Sequence, residues 1–387
     1  MDANAALDPD ALIAAARAST GLDEFGAGPW REGLERLIEA AREEARLDDR
    51  GRSMLRAEML AQLRNRLEIN EWAGRHPEVR ELPLDAPIVL ATLPRTGQTA
   101  AGWLLDRDRS NRALLTWMAK CPVPPPLPGD NADDPRVVQA RAAVDALPQK
   151  LRAMHLTGVD EPDECHWLIS NAFRGAHQIY SMQVPSFYSW SIGDAEMTDA
   201  YAYYRLQLQI LQSKTPGRRW VLKNSPHLLH LNALHTALPD AHYVQFHRDP
   251  VAVLASNCRL SMFLRGMRSA RVEAHEVGAS MLRLLTDYVT RTLSFRDAAV
   301  TRPWIDVRFD RFVANPVAAV ERIYAAIGIE LSNGTRAAME RWVAANPREE
   351  RRPKIDLSPF GLDVVEVRKR FAIYAERFQV PAEGAEG

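Results

Sequence analysis

Apolar residues fall into two periods along the chain, and the change between them marks out its organisation. Near the N-terminus the spacing is helical. Asp8 followed by Pro9 opens a helix running to Ser19; Leu34, Leu37, Ile38, Ala41 and Ala45 share one face of a helix from Trp30 to about Arg46; and Leu55, Met59, Leu63 and Leu67 recur every four residues in a third. Short continuous apolar runs then take over. Pro87–Leu90, Trp220–Leu222 leading to Lys223, His242–Phe246 leading to His247 and Arg248, and Trp304–Phe309 each read as strands buried on both faces. Helical segments separate them: one restarting at Thr99, one over His227–Leu238, one from Pro250, and one capped by Asn315, entered at Pro316 and stopped at Gly328. Between the first two strands, Thr116 to Pro128 holds five prolines from Pro122 onward and reads as an extended crossing, Asp133 to about Met154 as a helix, and Glu161–Trp167 as the opening of another. This alternation predicts an α/β fold: a central parallel sheet flanked by helices, entered through a phosphate-loop-like turn. Residues 1–80 form an N-terminal helical cap, with a lid or homodimer surface as the alternative reading, and residues 81–387 form the α/β domain, with a substrate-region insertion at about 121–215.

Composition narrows the function classes. The chain has 387 residues, 26% charged, with a net charge of −1, which gives no pull toward nucleic acid or acidic membranes. Cys121, Cys165 and Cys258 stand far apart, so neither a disulfide framework nor a zinc site is suggested, and they read as reduced thiols. The acidic start MDANAALDPD lacks the pattern of a secretory signal, and no apolar run reaches the ~20 residues of a membrane span. A cytoplasmic location is expected, with no metal site.

The chemistry gathers at strand ends. After Leu90 the chain reads ATLPRTGQT, in which Thr96 and Gly97 turn the backbone and Thr99 starts a helix whose N–H groups favour an anion. Laid over the common nucleotide phosphate loop, only Gly97 and Thr99 fit; Gln98 stands where the lysine belongs, and Arg95 supplies a cation three residues earlier. Lys223 ends a second strand, and His247 with Arg248 a third. Ligands of parallel sheets gather at the carboxyl ends of the strands, so these cations converge. Arg248 and Ser256, joined by the helix from Pro250, suit a second phosphate remote from the first. Five of the nine tyrosines lie between Tyr180 and Tyr204, beside Phe187 and Trp190, and suit either an apolar acceptor pocket or a plain core.

The segments LPRTGQT, WVLKNSPHLLHLNAL, FHRDPVAVLASN, VRFDRFVANPVAAVERIYAAIGIEL and LSPFGLDVVEVRKRFAIYAERF resemble, in order, the sulfotransferase family in its large bacterial branch. The resemblance implies transfer of a sulfuryl group from 3′-phosphoadenosine 5′-phosphosulfate (PAPS) to a small-molecule acceptor, releasing adenosine 3′,5′-bisphosphate (PAP), without Mg²⁺. It assigns the 5′-phosphosulfate to Arg95, Thr96, Gly97, Gln98 and Thr99, the 3′-phosphate to Arg248 and Ser256, and transition-state charge to Arg95 and Lys223. The basic run Arg348, Arg351, Arg352 and Lys354 stands where relatives bring a loop over the nucleotide. For the base, relatives often carry a glutamate where this chain has Met118; Glu164 is then the first choice, His166 the second and His227 the third. Gln98 and Ile355 replace a threonine and a tyrosine common in relatives. Two alternatives are a catalytically impaired PAPS- or PAP-binding protein and an ATP-dependent small-molecule kinase, against which the missing loop lysine counts.

Overall fold

The computed structural model describes residues 7–129, 131–146, 158–193, 197–298, 303–347 and 355–384. Its centre is a five-stranded sheet: β1 (Ile88–Leu90), β2 (Asn111–Ala113), β3 (Arg219–Lys223), β4 (His242–His247) and β5 (Ile305–Arg308), in the order β2-β3-β1-β4-β5. Every pairing is parallel, and the register sets Leu90 beside Lys223 on one side and Val244 on the other. The two-residue period of a strand divides each apolar run between two cores. Ile88, Leu90, Val221, Val244 and Phe246 pack on one face with Leu104, Phe312 and Ile323, whereas Val89, Trp220, Leu222 and Tyr243 pack on the other with Tyr204, Leu254 and Leu285. Helices on both faces therefore account for the strands' unbroken hydrophobicity.

Helices α1 (Pro9–Thr20), α2 (Trp30–Glu43) and α3 (Asp49–Arg75) lie close to the expected spans, with the Asp8 side chain accepting from the Ala11 N–H at 2.9 Å. Their apolar faces share a core with Phe173, Met182, Val184, Phe187 and Trp190. Asn65 of α3 donates to the Lys120 carbonyl (2.7 Å) and to Asn171 Oδ1 (3.2 Å), which ties these helices to the segments leading into the site.

Three expected elements come out differently. Thr116–Lys120 is a short helix, because the prolines that forbid one begin only at Pro122, and Thr116 Oγ1 donates to the Gly158 carbonyl at 2.7 Å. The helix expected from Glu161 starts at His166: Pro162 bridges Leu115, and the Asp163 and Cys165 N–H groups donate to the carbonyls of Leu114 (2.7 Å) and Lys223 (3.0 Å). His227–Leu238 divides at His230 into a 3₁₀ turn, Ser225–Leu229, and a helix, Leu231–Ala237. The helix expected from Asp133 runs from Pro135 to Asp145, and the remainder of its expected span falls partly outside the described residues.

Candidate functional site

β1 and β4 are neighbours whose onward connections leave in opposite directions, to β2 and to β5. Their carboxyl ends therefore flank the crevice at which open parallel sheets bind ligands. The loop after β1 enters α4 (Gln98–Asp106) through Gly97, whose φ of 97° suits glycine and whose Cα faces the Phe312 ring so closely that a Cβ would stand 3.1 Å from it. Arg95 also takes a positive φ, 64°, a strained geometry that concentrates at functional turns. A buried hydroxyl holds the turn in place. Thr92 Oγ1 donates to the Phe246 carbonyl of β4 (2.8 Å), accepts from the Phe246 N–H (3.1 Å) and meets Thr96 Oγ1 at 2.8 Å. Thr96 is fully buried and donates to the Leu93 carbonyl at 2.6 Å, so its side chain supports the loop from within. Thr99 stands half-buried in the first turn of α4. The first-turn N–H groups of a helix have no partner within it, and they lie beside Arg95.

The groups expected to hold two remote phosphates are brought together. Arg95 Nε donates to Ser256 Oγ at 3.1 Å, and Arg248 Nη1 donates to the Arg95 carbonyl at 2.7 Å. The geometry follows from the helix Pro250–Gly266, which Asp249 caps and which carries Ser256 two turns along, toward the β1 loop. Arg259 joins the cluster: burial lowers the proton affinity of Arg95 first, and the charges of Arg248 and Arg259 lower it further, with Glu164 acting the other way. Burial and the neighbouring guanidinium charges thus act on Arg95 in the same direction. Arg248 lies over the Phe309 ring, 4.3 Å from its centroid, so the RFDRF segment underlies both the loop and the arginine.

A second cluster stands at the end of β3. Lys223 is buried, and its Nζ lies 4.0 Å from Glu164 Oε1; Glu164 Oε2 in turn lies 3.7 Å from His166 Nδ1. The field of Glu164 also reaches Tyr180, His177 and His227. His166 stacks on His177 at 4.6 Å, which fixes its ring beside the carboxylate. Gln98 joins the clusters: its Nε2 donates to Ser225 Oγ at 2.9 Å. Gln98 Oε1, both polar atoms of Asn224 and His227 Nε2 are buried with no hydrogen-bond partner among the described residues, which leaves polar capacity next to Lys223. His227 meets the Tyr201 hydroxyl through Nδ1 at 2.8 Å, and burial pushes it down to about 3, so it stays neutral and resists taking up charge.

Some expected participants lie elsewhere. His247 is buried in a structural network: Nε2 with Asp306 Oδ1 at 2.8 Å, Nδ1 with the Tyr374 hydroxyl at 3.0 Å, and its ring stacked on Phe378 at 3.9 Å. It points away from Arg248 because consecutive strand side chains alternate. The tyrosines of 180–204 are mostly core, their hydroxyls meeting Tyr288, Asp287, His227 and Cys165. Met118, Trp167 and Tyr180 are partly buried at the edge of that core. Cys165 and Cys258 are buried thiols, with Cys121 less so. Arg348, Arg351, Arg352 and Lys354 lie outside the described residues. No group of three or more metal-ligating side chains occurs among the described residues, and none of their helices is long and apolar enough to cross a membrane. Sequence reading missed Thr92, Arg259, Phe309 and Phe312. Arg259 had a signal, since it follows Ser256 by three residues on one helix face.

Residues 87–333 match the sequence model of the sulfotransferase family, more than half of the chain. Two crystal structures are similar over nearly the whole length. Sulfotransferase STF9 from Mycobacterium avium is 27% identical with a TM-score of 0.90, covering 97% of both chains. Sulfotransferase STF1 from Mycobacterium tuberculosis H37Rv is 29% identical with a TM-score of 0.83, covering 94% of this chain and 98% of that one. None of the curated proteins gives a significant match.

Proposed function

Because the chain belongs to the sulfotransferase family, we propose that it transfers a sulfuryl group from PAPS to the hydroxyl or amine of a small acceptor with an apolar or aromatic body, releasing PAP. The observation that carries this reading is the pair of clusters Arg95–Ser256–Arg248 and Lys223–Glu164–His166 after β1, β3 and β4, close enough for the charge of Glu164 to act on Arg95. The 5′-phosphosulfate sits on Arg95 and the first turn of α4, and the 3′-phosphate on Arg248 and Ser256, where charge-assisted contacts to a guanidinium fork are strong. The Trp167 ring, 4.7 Å from that of His166, gives the acceptor an apolar surface beside the base cluster.

In the transfer, the acceptor oxygen or nitrogen attacks sulfur as the bond from sulfur to the bridging oxygen breaks. Negative charge grows on that oxygen and is met by Arg95, the loop N–H groups and the Lys223 ammonium, all fixed in advance. The acceptor proton passes to Glu164, which lies between Lys223 Nζ at 4.0 Å and His166 Nδ1 at 3.7 Å. Burial pushes His227 down to about 3, and this low proton affinity makes it the weaker choice of base.

The test is transfer of labelled sulfate from PAPS to a panel of phenols, alcohols and amines, with calorimetry of PAP beside ATP and Mg²⁺. Product from any acceptor, and PAP binding far tighter than ATP, are expected. PAP binding without transfer would favour a binding protein, a reading motivated by Met118 and by Gln98, whose amide is committed to Ser225. Tighter binding of ATP would favour a kinase.

A further inference from the structure

The arginine assigned to the donor's 3′-phosphate already holds an acid from the far end of the chain. Arg248 Nε and Nη2 donate to the two carboxylate oxygens of Glu383, at 2.7 and 3.0 Å. Both side chains are only 15% exposed, so the pair is largely shielded from solvent. The backbone of Glu383 is held as well: its N–H donates to Asp249 Oδ2 at 2.7 Å, and its carbonyl accepts from Arg368 Nη2 at 3.1 Å. With Nη1 donating to the Arg95 carbonyl as well, each of the three guanidinium nitrogens has a partner, and the Nε–Nη2 edge is taken whole by the Glu383 carboxylate.

We infer that residues 381–384 are an internal competitor for the donor: the Glu383 carboxylate occupies the place of a donor phosphate on Arg248, and the donor binds by displacing it. The inference rests on the donor reading above. A carboxylate and a phosphate offer the same paired anionic oxygens to a guanidinium, so either can take the Nε–Nη2 edge of Arg248 and both cannot. The tail has a short tether. Phe378, stacked on His247 at the end of β4, stands five residues before Glu383 and keeps the carboxylate at high effective concentration over its site. Release needs little unfolding, because residues 381–384 contain neither helix nor strand, and Gly384 lies against Ile355 at the molecule's edge.

The experiment is calorimetry of PAP with the full chain, with Glu383→Gln, which keeps the side chain's shape and removes its charge, and with a chain ending at Val380. If the tail is docked in roughly nine molecules of ten, both variants should bind PAP about tenfold more tightly than the full chain, because apparent affinity scales with the open fraction. The KM for PAPS should fall in parallel. PAP binding by all three proteins without a gain in either variant would show the contact to be a structural tie and overturn the inference while leaving the donor reading intact. Failure of all three to bind PAP would withdraw the donor reading, and the tail's role with it.

Discussion

Buried histidines should make this protein lose stability with acid much faster than its charge balance suggests, and His227 isolates the effect. Burial pushes His227 and His230 down to about 3 from an ordinary 6.5; Glu164 opposes the shift at His227, whereas His230 and His166 add to it, and Arg291 adds to it at His230. In the unfolded chain each binds a proton below pH 6.5, and in the folded chain neither does until far lower pH. Unfolding therefore takes up protons, and stability present above pH 6.5 drains away as pH falls toward the folded value. Between pH 7 and pH 5 the linkage amounts to about 2 kcal/mol for each histidine, a large share of the ~5–15 kcal/mol that holds most domains. His177, held well below its ordinary value by burial and then by His166 and Arg268, acts in the same direction. Glutamine at His227 keeps a polar partner for Tyr201 and cannot titrate. Urea unfolding followed by tryptophan fluorescence at pH 7, 6 and 5 should show His227→Gln losing about 2 kcal/mol less than the parent over that range, whatever its starting stability. Equal losses in the two proteins would mean that His227 takes up a proton as readily folded as unfolded, and would return it to the list of bases.

Glu164→Gln should cut turnover roughly 10²-fold or more while leaving PAP affinity in place; full activity would move the base to His166. Arg248→Ala, made beside Glu383→Gln so that the tail does not mask it, should weaken PAP binding by about 1.5–3 kcal/mol in calorimetry, and unchanged affinity would remove Arg248 from the site. Thr92→Val takes the threonine hydroxyl from the Phe246 N–H and carbonyl and leaves the Thr96 hydroxyl with the Leu93 carbonyl alone. A loss of about 1–3 kcal/mol in urea unfolding is expected, and parental stability would show that the loop is held by other means.

The parts of the fold that follow from local rules were legible in the sequence. Continuous apolar runs ending at Leu90, before the Arg95 loop, and at Lys223 and His247–Arg248 marked these strands and their carboxyl ends, because a strand covered on both faces has no polar alternation to confuse it. His247 shows where such reading stops. It shares a strand end with Arg248, yet its side chain faces Tyr374 and Phe378, and only the tertiary position of the C-terminal helices makes that visible. Glu161–Cys165 looked helical by composition, but its backbone donors are spent on Leu114 and Lys223, and the resulting extended path is what sets Glu164 beside the lysine. Phe312 under Gly97 and Glu383 on Arg248 join residues 215 and 135 positions apart, beyond any local signal.

The absent loop lysine has a structural counterpart. Gln98 takes its position and bonds Ser225, two residues beyond Lys223, so the start of α4 is tied to the strand end that brings the ammonium. Positive charge that a nucleotide triphosphatase concentrates in one loop is here divided among Arg95, Lys223, Arg248 and Arg259, and the two best-defined cations each rest against a carboxylate, Lys223 against Glu164 and Arg248 against Glu383. On the proposed reaction these two pairs part for different reasons. The donor's 3′-phosphate takes Arg248 from Glu383, whose release is all that is needed. Its sulfuryl group draws Lys223 away from Glu164, and a carboxylate that loses its counter-cation holds a proton more strongly. Donor binding would then sharpen the base at the step that requires it, which is a reason for the acid and the lysine to share one site.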